Sequence, residues 1–332
     1  MKRIDAYWYS QNPVAWLLLP VSFVYCLLVF LRRFFYQTGI FKSYKLSVPI
    51  VIVGNISVGG TGKTPLLIAL CELLKQQGYR PGIVSRGYGG EFDGEHLVDK
   101  SDMANVIGDE PYLISKRTNC PLVVGRDRVA AAQLLLEKTN CNVILSDDGL
   151  QHYRLIRNIE IAIVDTSRQF GNGFCLPSGP LRETVSRLRK VDIVVDHCAD
   201  SDVDARDDNF SLIFADAINL KTGETRSIES FKGQTVHAVA GIGHPSRFFN
   251  QLRKNKLEVI EHGFPDHHKF NKLDLTFDDE CDVLMTEKDA VKCQVFSCEN
   301  HWYIPVNASL SEPFHKKFLL KMNEIIESNT SV

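Results

Sequence analysis

Apolar positions along the chain fall into three regimes. From Val14 to Leu31 they run almost unbroken, interrupted by Pro20 and Ser22 and closed by Arg32 and Arg33. After Pro49 the pattern changes to short β-branched runs alternating with stretches of helical spacing. Ile50-Val51-Ile52-Val53, bounded by Gly54 and Asn55, predicts a strand buried on both faces. Leu66 to Gln77 repeats apolar residues at helical spacing and stops at Gly78, and Gly82-Ile83-Val84-Ser85 reads as the next strand. Leu122 to Val124, Val143 to Leu145, Ile159 to Val164 and Asp192 to Val195 are further buried strands. This rhythm predicts an α/β fold, a mainly parallel sheet with helices on both faces. Ala199 to Asn209 is acidic and poor in apolar residues, which suits a linker or exposed loop. Beyond it, Val236 to Ala240, Leu257 to Ile260 and Val283 to Met285 predict a smaller C-terminal α/β lobe. The division expected is 1–38 for an N-terminal membrane-associating helix, 39–205 for the core and 206–332 for the smaller lobe.

The N-terminal run is about the shortest that can span a bilayer, and three readings fit it: a buried core helix, a single span, or a helix lying in the interface. Its start, Met1-Lys2-Arg3, is basic, but no small-residue cleavage site follows. Tyr7, Trp8, Tyr9, Trp16 and Tyr25, with arginines at one end, favour membrane association, with rings at headgroup depth and cations near anionic lipid.

Composition narrows the remaining classes. With 332 residues, 44% hydrophobic and 23% charged, the chain has the makeup of a folded, mostly soluble body. A formal net charge of -2 gives no basic field for nucleic acid, which is excluded as a partner. The 9 cysteines show no C-x-x-C spacing, and Cys293 and Cys298 are the closest pair. That argues against a disulfide framework and against a zinc site. Cys71 and Cys141 lie in apolar periodic segments and read as small core residues of a protein kept in a reducing compartment.

Ser57-Val58-Gly59-Gly60-Thr61-Gly62-Lys63-Thr64 sits between a strand and a helix, where a phosphate loop belongs. Glycines let backbone N–H groups turn toward an anion and the helix N-terminus adds a favourable dipole. Lys63 can reach the β- and γ-phosphates, and the Thr64 hydroxyl can ligate Mg²⁺. Ser57 stands where the usual pattern has glycine, so a locally different turn is expected there. The second carboxylate that such a site needs comes from Asp147 or Asp148, at the C-terminal end of the strand Val143 to Leu145. The fold expected is therefore P-loop NTPase-like, with ATP and Mg²⁺ as cofactors.

Phosphoryl transfer to an alcohol also needs an acceptor for the hydroxyl proton. Gly108-Asp109-Glu110-Pro111 and Pro265-Asp266-His267-His268 are the two candidate segments, the second offering an Asp–His pair. Arg86, Arg126, Arg128 and Arg182 lie beside Gly and Pro loops and can spread phosphoryl charge. Leu284-Met285-Thr286-Glu287-Lys288-Asp289 places a lysine and a carboxylate, Asp289, where they can meet a nucleotide base; helix capping by Thr286 explains the same letters.

Taken in order, these motifs resemble the tetraacyldisaccharide 4'-kinases, which phosphorylate the disaccharide precursor of lipid A. The likeness covers nearly the whole chain. It rests on the segments 58–64, 85–89, 108–111, 125–128, 147–152, 180–183, 266–268 and 286–292. It implies that Lys63 and Thr64 bind phosphates and Mg²⁺, that Asp109 is the base supported by His267, and that Asp147 and Asp148 belong to the metal site. It further implies that Glu110 and Arg182 lie near the phosphates and that the N-terminal helix engages lipid at the cytoplasmic face of the bacterial inner membrane. No obligate protein partner is implied. The alternative is a partition or switch-type ATPase at the membrane, whose loop can read Lys-Gly-Gly-Val-Gly-Lys-Thr; here Val58 replaces that first lysine.

Overall fold

The computed structural model describes residues 7–10, 12–198 and 205–330. The basic Met1-Lys2-Arg3 start and residues 199–204 of the acidic stretch lie outside the described residues. The first apolar run forms two helices rather than one, α1 (Pro13–Leu17) and α2 (Leu19–Gln37). Proline lacks an N–H and is tolerated in a helix's first turn, so Pro20 opens the second helix. The double arginine does not end α2, which continues through Arg32 and Arg33 to Gln37. One side of the pair is docked: the Ser22 hydroxyl donates to the Cys175 carbonyl at 2.8 Å, Tyr25 Oη to the Arg182 carbonyl at 3.1 Å, and the Trp8 indole to the Pro177 carbonyl at 3.1 Å. The other side leaves Phe23, Leu28 and Phe30 exposed.

The chain then runs through β1 (Ile50–Asn55), α3 (Lys63–Gln76), β2 (Pro81–Ser85), β3 (Glu95–Leu97), α4 (Ala104–Ile107), α5 (Asp109–Thr118), β4 (Leu122–Gly125), α6 (Arg128–Lys138), β5 (Val143–Asp147), β6 (Ile159–Asp165), β7 (Ile193–Cys198) and β8 (Asn209–Phe214). It continues with β9 (Ala217–Asn219), β10 (Thr225–Arg226), β11 (Thr235–Ala240), α7 (Pro245–Lys254), β12 (Glu258–Gly263), β13 (Asp282–Thr286), α8 (Glu287–Cys293), β14 (His301–Ile304), β15 (Val306–Leu310) and α9 (Glu312–Thr330).

A nine-stranded sheet has the order β15-β8-β7-β6-β1-β5-β2-β4-β3. It is parallel from β8 to β4, with β15 and β3 as antiparallel edges. Strand β1 shows why its sequence is continuously apolar. Val51 and Val53 face α3, α9 and the cluster of Leu66, Leu70 and Phe318, while Ile50 and Ile52 face the opposite layer with Val129 and Leu135 of α6. The second sheet, β10-β9-β14-β13-β11-β12, is smaller and packs α7 on one face. The chain leaves the first sheet after β8 and returns to it at β15, so parts of 206–332 complete the larger sheet and its α9 layer. Because β1 lies between β5 and β6, the crossovers diverge beside it, and the crevice that opens at such a point is where an α/β sheet binds ligands.

Candidate active site at the phosphate loop

Residues 57–62 connect β1 to α3 across that crevice. At the loop's entry Ser57 bridges to Leu181, and the Val58 N–H donates to the Pro180 carbonyl at 2.8 Å. Gly62 caps α3 with φ 87, a left-handed conformation, and a Cβ there would lie 2.9 Å from His197 Nδ1 and 3.1 Å from Phe210. Glycine is required on both counts. Asn55 holds the loop from inside, donating from Nδ2 to Thr61 Oγ1 at 3.0 Å and accepting from Lys63 Nζ at 3.5 Å. Gly59, Gly60 and Thr61 precede the α3 N-terminus, where backbone N–H groups and the helix dipole favour an anion, and Thr64 lies in its first turn.

Asp147 and Asp148 occupy the adjacent C-terminal end of β5 and behave oppositely. Asp147 is buried, its Oδ2 accepting from Ser85 Oγ at 3.3 Å, while Oδ1 has no hydrogen-bond partner within the protein. Burial, with Glu110 and Asp148 nearby, pushes its carboxyl up to about 7. A buried, orphaned carboxylate oxygen beside a phosphate loop fits a divalent cation. Burial also pushes Asp148 upward, but Lys63 at 3.7 Å and Arg182 at 2.9 Å outweigh it and hold the carboxyl below its usual range. Lys63, Asp148 and Arg182 thus form one charged cluster.

The two candidate base segments meet in space. Asp109 is the first residue of α5, and its Oδ2 lies 3.8 Å from both His267 Nδ1 and Lys292 Nζ. Burial alone would raise the Asp109 carboxyl; His267, Lys292 and Lys288 together bring it below the ordinary value. Glu110 pairs with Lys288 at 3.0 Å, and Lys288 also reaches Asp266 at 3.4 Å. Burial opposes the Lys288 charge, but those carboxylates more than offset it and raise its pKa. His267 takes a left-handed φ of 60, and its ring meets that of Tyr88 at 5.1 Å, whereas His268 turns away to Asp274 at 3.0 Å. Of the two histidines, His267 is the one beside Asp109.

The family profile described as "Tetraacyldisaccharide-1-P 4'-kinase", LpxK, matches residues 14–324. The chain belongs to this family. Among tetraacyldisaccharide 4'-kinases, that of Nitrosococcus oceani is 47% identical over 330 residues, covering 98% of this chain and 96% of its own. Those of Methylobacillus flagellatus and Pasteurella multocida are 47% and 45% identical, over 98% and 96% of this chain and 97% and 98% of their own. A crystal structure of LpxK from Aquifex aeolicus, described as an "apo" form in complex with ATP, superposes with a TM-score of 0.77 at 30% identity, over 93% of this chain and 99% of that one. The P-loop kinase fold and the lipid A 4'-kinase activity follow from the family, and the switch-type ATPase is not favoured.

Within this 4'-kinase the remaining expected residues divide. Asp289 is fully buried, accepting from the Gly241 N–H at 2.8 Å, the Thr286 hydroxyl at 2.6 Å and Lys292 at 3.1 Å. Its carboxylate is spent on anchoring α8, which Thr286 caps, and the loop after β11. That loop reaches the phosphate loop, since a Cβ on Gly243 would lie 3.0 Å from the Gly60 nitrogen, and Arg168 donates to the Gly243 carbonyl at 2.8 Å. Arg128 is buried and donates to the Gly125 and Asp147 carbonyls, supporting the acid pair from behind, while Arg86 and Arg126 are exposed. Sequence reasoning passed over Lys292 and Asn55. The first was findable, because Lys288 and Lys292 are four apart and share a helix face; the second follows the strand directly, but Asn after a strand carries no specific signal. Cys71 and Cys141 are free thiols in the apolar layers.

Proposed function

We propose that the protein transfers the γ-phosphoryl group of ATP directly to the 4'-hydroxyl of a tetraacylated glucosamine disaccharide 1-phosphate, with Asp109 as the base. What supports this most is that the Lys63–Asp148–Arg182 cluster at the phosphate loop lies beside the Asp109–His267 pair, close enough for Glu110, next to Asp109, to act on Asp147. Gly59, Gly60, Thr61 and Gly62 wrap the phosphates with backbone N–H groups, and Lys63 neutralises the β- and γ-phosphates. Mg²⁺, held by Thr64, Asp147 and Asp148, would neutralise phosphate charge and template the in-line arrangement. Arg182, already poised on Asp148, moves its guanidinium onto the transferring group as charge develops. Glu110 orders Lys288 beside the same space. Asp109, kept ionised by its cationic neighbours, accepts the hydroxyl proton late in a loose transition state, and His267 orients it.

In this reading the body around 39–205 holds the nucleotide, and 206–332 supplies His267 and Lys292. Helices α1 and α2 lie in the interface on the cytoplasmic face of the inner membrane, with the exposed face of α2 in lipid and the docked face against residues 172–182. The window Leu19–Gln37 has a hydropathy of 1.5 and is 6% buried, which fits such a position.

The test is transfer of label from γ-labelled ATP to the disaccharide precursor in mixed micelles. Wild-type protein should label the lipid, Lys63→Ala should lose transfer while still partitioning with lipid, and Asp109→Asn should lose about 10²–10⁴-fold in kcat. Full transfer by Asp109→Asn would overturn the base assignment. ATP hydrolysis without labelled lipid, accelerated by a protein partner, would instead support the switch.

A further inference from the structure

A second cluster of metal-binding groups lies on the smaller sheet, outside the catalytic machinery. His237 on β11 is 5% exposed, and its ring stacks on Phe277 at a centroid distance of 3.8 Å and an interplanar angle of 9°. Its Nε2 lies 3.0 Å from Asp279 Oδ1. Two residues further on, in the connection entering β13, Cys281 brings its thiol to the same point. The three ligand atoms of His237, Asp279 and Cys281 all lie within 4.8 Å of one another. Tetrahedral zinc, with bonds of about 2.0–2.3 Å, separates its ligand atoms by roughly 3.3–3.6 Å, so closing the set takes adjustments of rotamer size.

We propose that His237, Asp279 and Cys281 form a site for a divalent transition-metal ion of the zinc class, with His262 as its positioning residue. The nitrogen–carboxylate–thiolate set suits that class, since magnesium and calcium favour all-oxygen shells. His262, on the neighbouring strand β12, places its Nε2 2.9 Å from His237 Nδ1, the ring nitrogen that faces away from the other ligands. A histidine bound to metal through Nε2 must carry its proton on Nδ1 and give it to an acceptor, and neutral His262 supplies that acceptor. Binding therefore moves the His237 proton from Nε2 to Nδ1, and His262 accepts at Nε2 where it would otherwise donate. Asp279 is 47% exposed, which leaves an entry path and room for water as a fourth ligand. Missing C-x-x-C spacing excludes sites built on paired cysteines, whereas a mixed set drawn from a strand and a distant connection has no such spacing.

Cobalt(II), added to the full-length protein in detergent with excess Mg²⁺ to occupy all-oxygen sites, is the probe. The expected result is one equivalent bound, with intense visible bands of a four-coordinate ion, a thiolate-to-cobalt charge-transfer band, and displacement of both by Zn²⁺. Cys281→Ser should abolish the charge-transfer band, whereas Cys298→Ser, at an exposed cysteine elsewhere, should keep it. Asp279→Asn should weaken binding at least ten-fold. His262→Leu should weaken it by about 10–100-fold, and His262→Gln, which retains an acceptor, should recover most of that loss. Thermal melts confirm that each variant is folded. Absence of the charge-transfer band in the wild type, or its survival in folded Cys281→Ser, overturns the proposal; so does binding indifferent to Asp279→Asn.

Discussion

Replacing Asp289 by alanine separates a scaffold role from a ligand role, because the two fail in different assays. The side chain is fully buried and serves three donors: the Gly241 N–H, the Thr286 hydroxyl and the Lys292 ammonium. Stranding a buried donor costs about 1–3 kcal/mol, and a bond to a charged group contributes about 1.5–3 kcal/mol. Thr286 can re-aim its hydroxyl, so Gly241 and Lys292 dominate, and the loss should be about 3–5 kcal/mol. For a chain of this size roughly 1.5 °C accompanies each kcal/mol, which puts the fall in Tm at about 4–8 °C. Asp289→Asn keeps an acceptor oxygen and loses the charge, and should fall by about half as much. Differential scanning fluorimetry reads this directly, with ATP KM measured well below the transition. An unchanged Tm together with a large rise in ATP KM would refute the reasoning and restore Asp289 as a nucleotide contact.

Lys292→Met removes one of the cations that hold Asp109 below its usual range, so the carboxyl should rise. Because the base must be ionised, the acid limb of the kcat/KM profile should move to higher pH; no movement, or movement to lower pH, would exclude Lys292 from the site. Asp147 has its folded-state pKa raised, so protonation favours the fold. The cost of ionising it is absent below its unfolded value near ~4 and complete above about 7. Asp147→Asn should therefore raise Tm at pH 8 without Mg²⁺, lose that gain as pH falls toward 4, and abolish transfer; equal gains at both pH values would argue against the burial effect. Phe23→Glu with Leu28→Glu, both on the open face of α2, should cut vesicle sedimentation while leaving stability within about 0.5 kcal/mol of wild type, and unaltered sedimentation would count against the interfacial helix.

What could be read from the chain was what contiguous residues decide. The Ile50 to Val53 run, the glycines before Lys63 and the carboxylates after Leu145 each carry their placement in local spacing, and each lies where that spacing put it. Pairings across long separations were not legible. Strand β15 pairs with β8 after an entire second sheet has intervened, and nothing in Val306 to Leu310 declares that partner. The surroundings of Asp289 were hidden for the same reason: an acid just past a strand reads as a ligand contact, and only the fold brings the Gly241 N–H, 48 residues away, onto it. The choice of His267 over His268 likewise needed the fold, since adjacent residues point to different neighbours.

The segment from Cys175 to Arg182 is shared property. On one side it receives Ser22 and Tyr25 from α2, and on the other Leu181 and Pro180 are stitched to Ser57 and Val58. With α2 in a bilayer surface, as proposed above, this coupling would carry the reaction centre at a constant height above the acyl chains. A glycolipid then need only lift its sugar to that level while its tails stay in place, and encounter becomes a search over an area rather than through a volume.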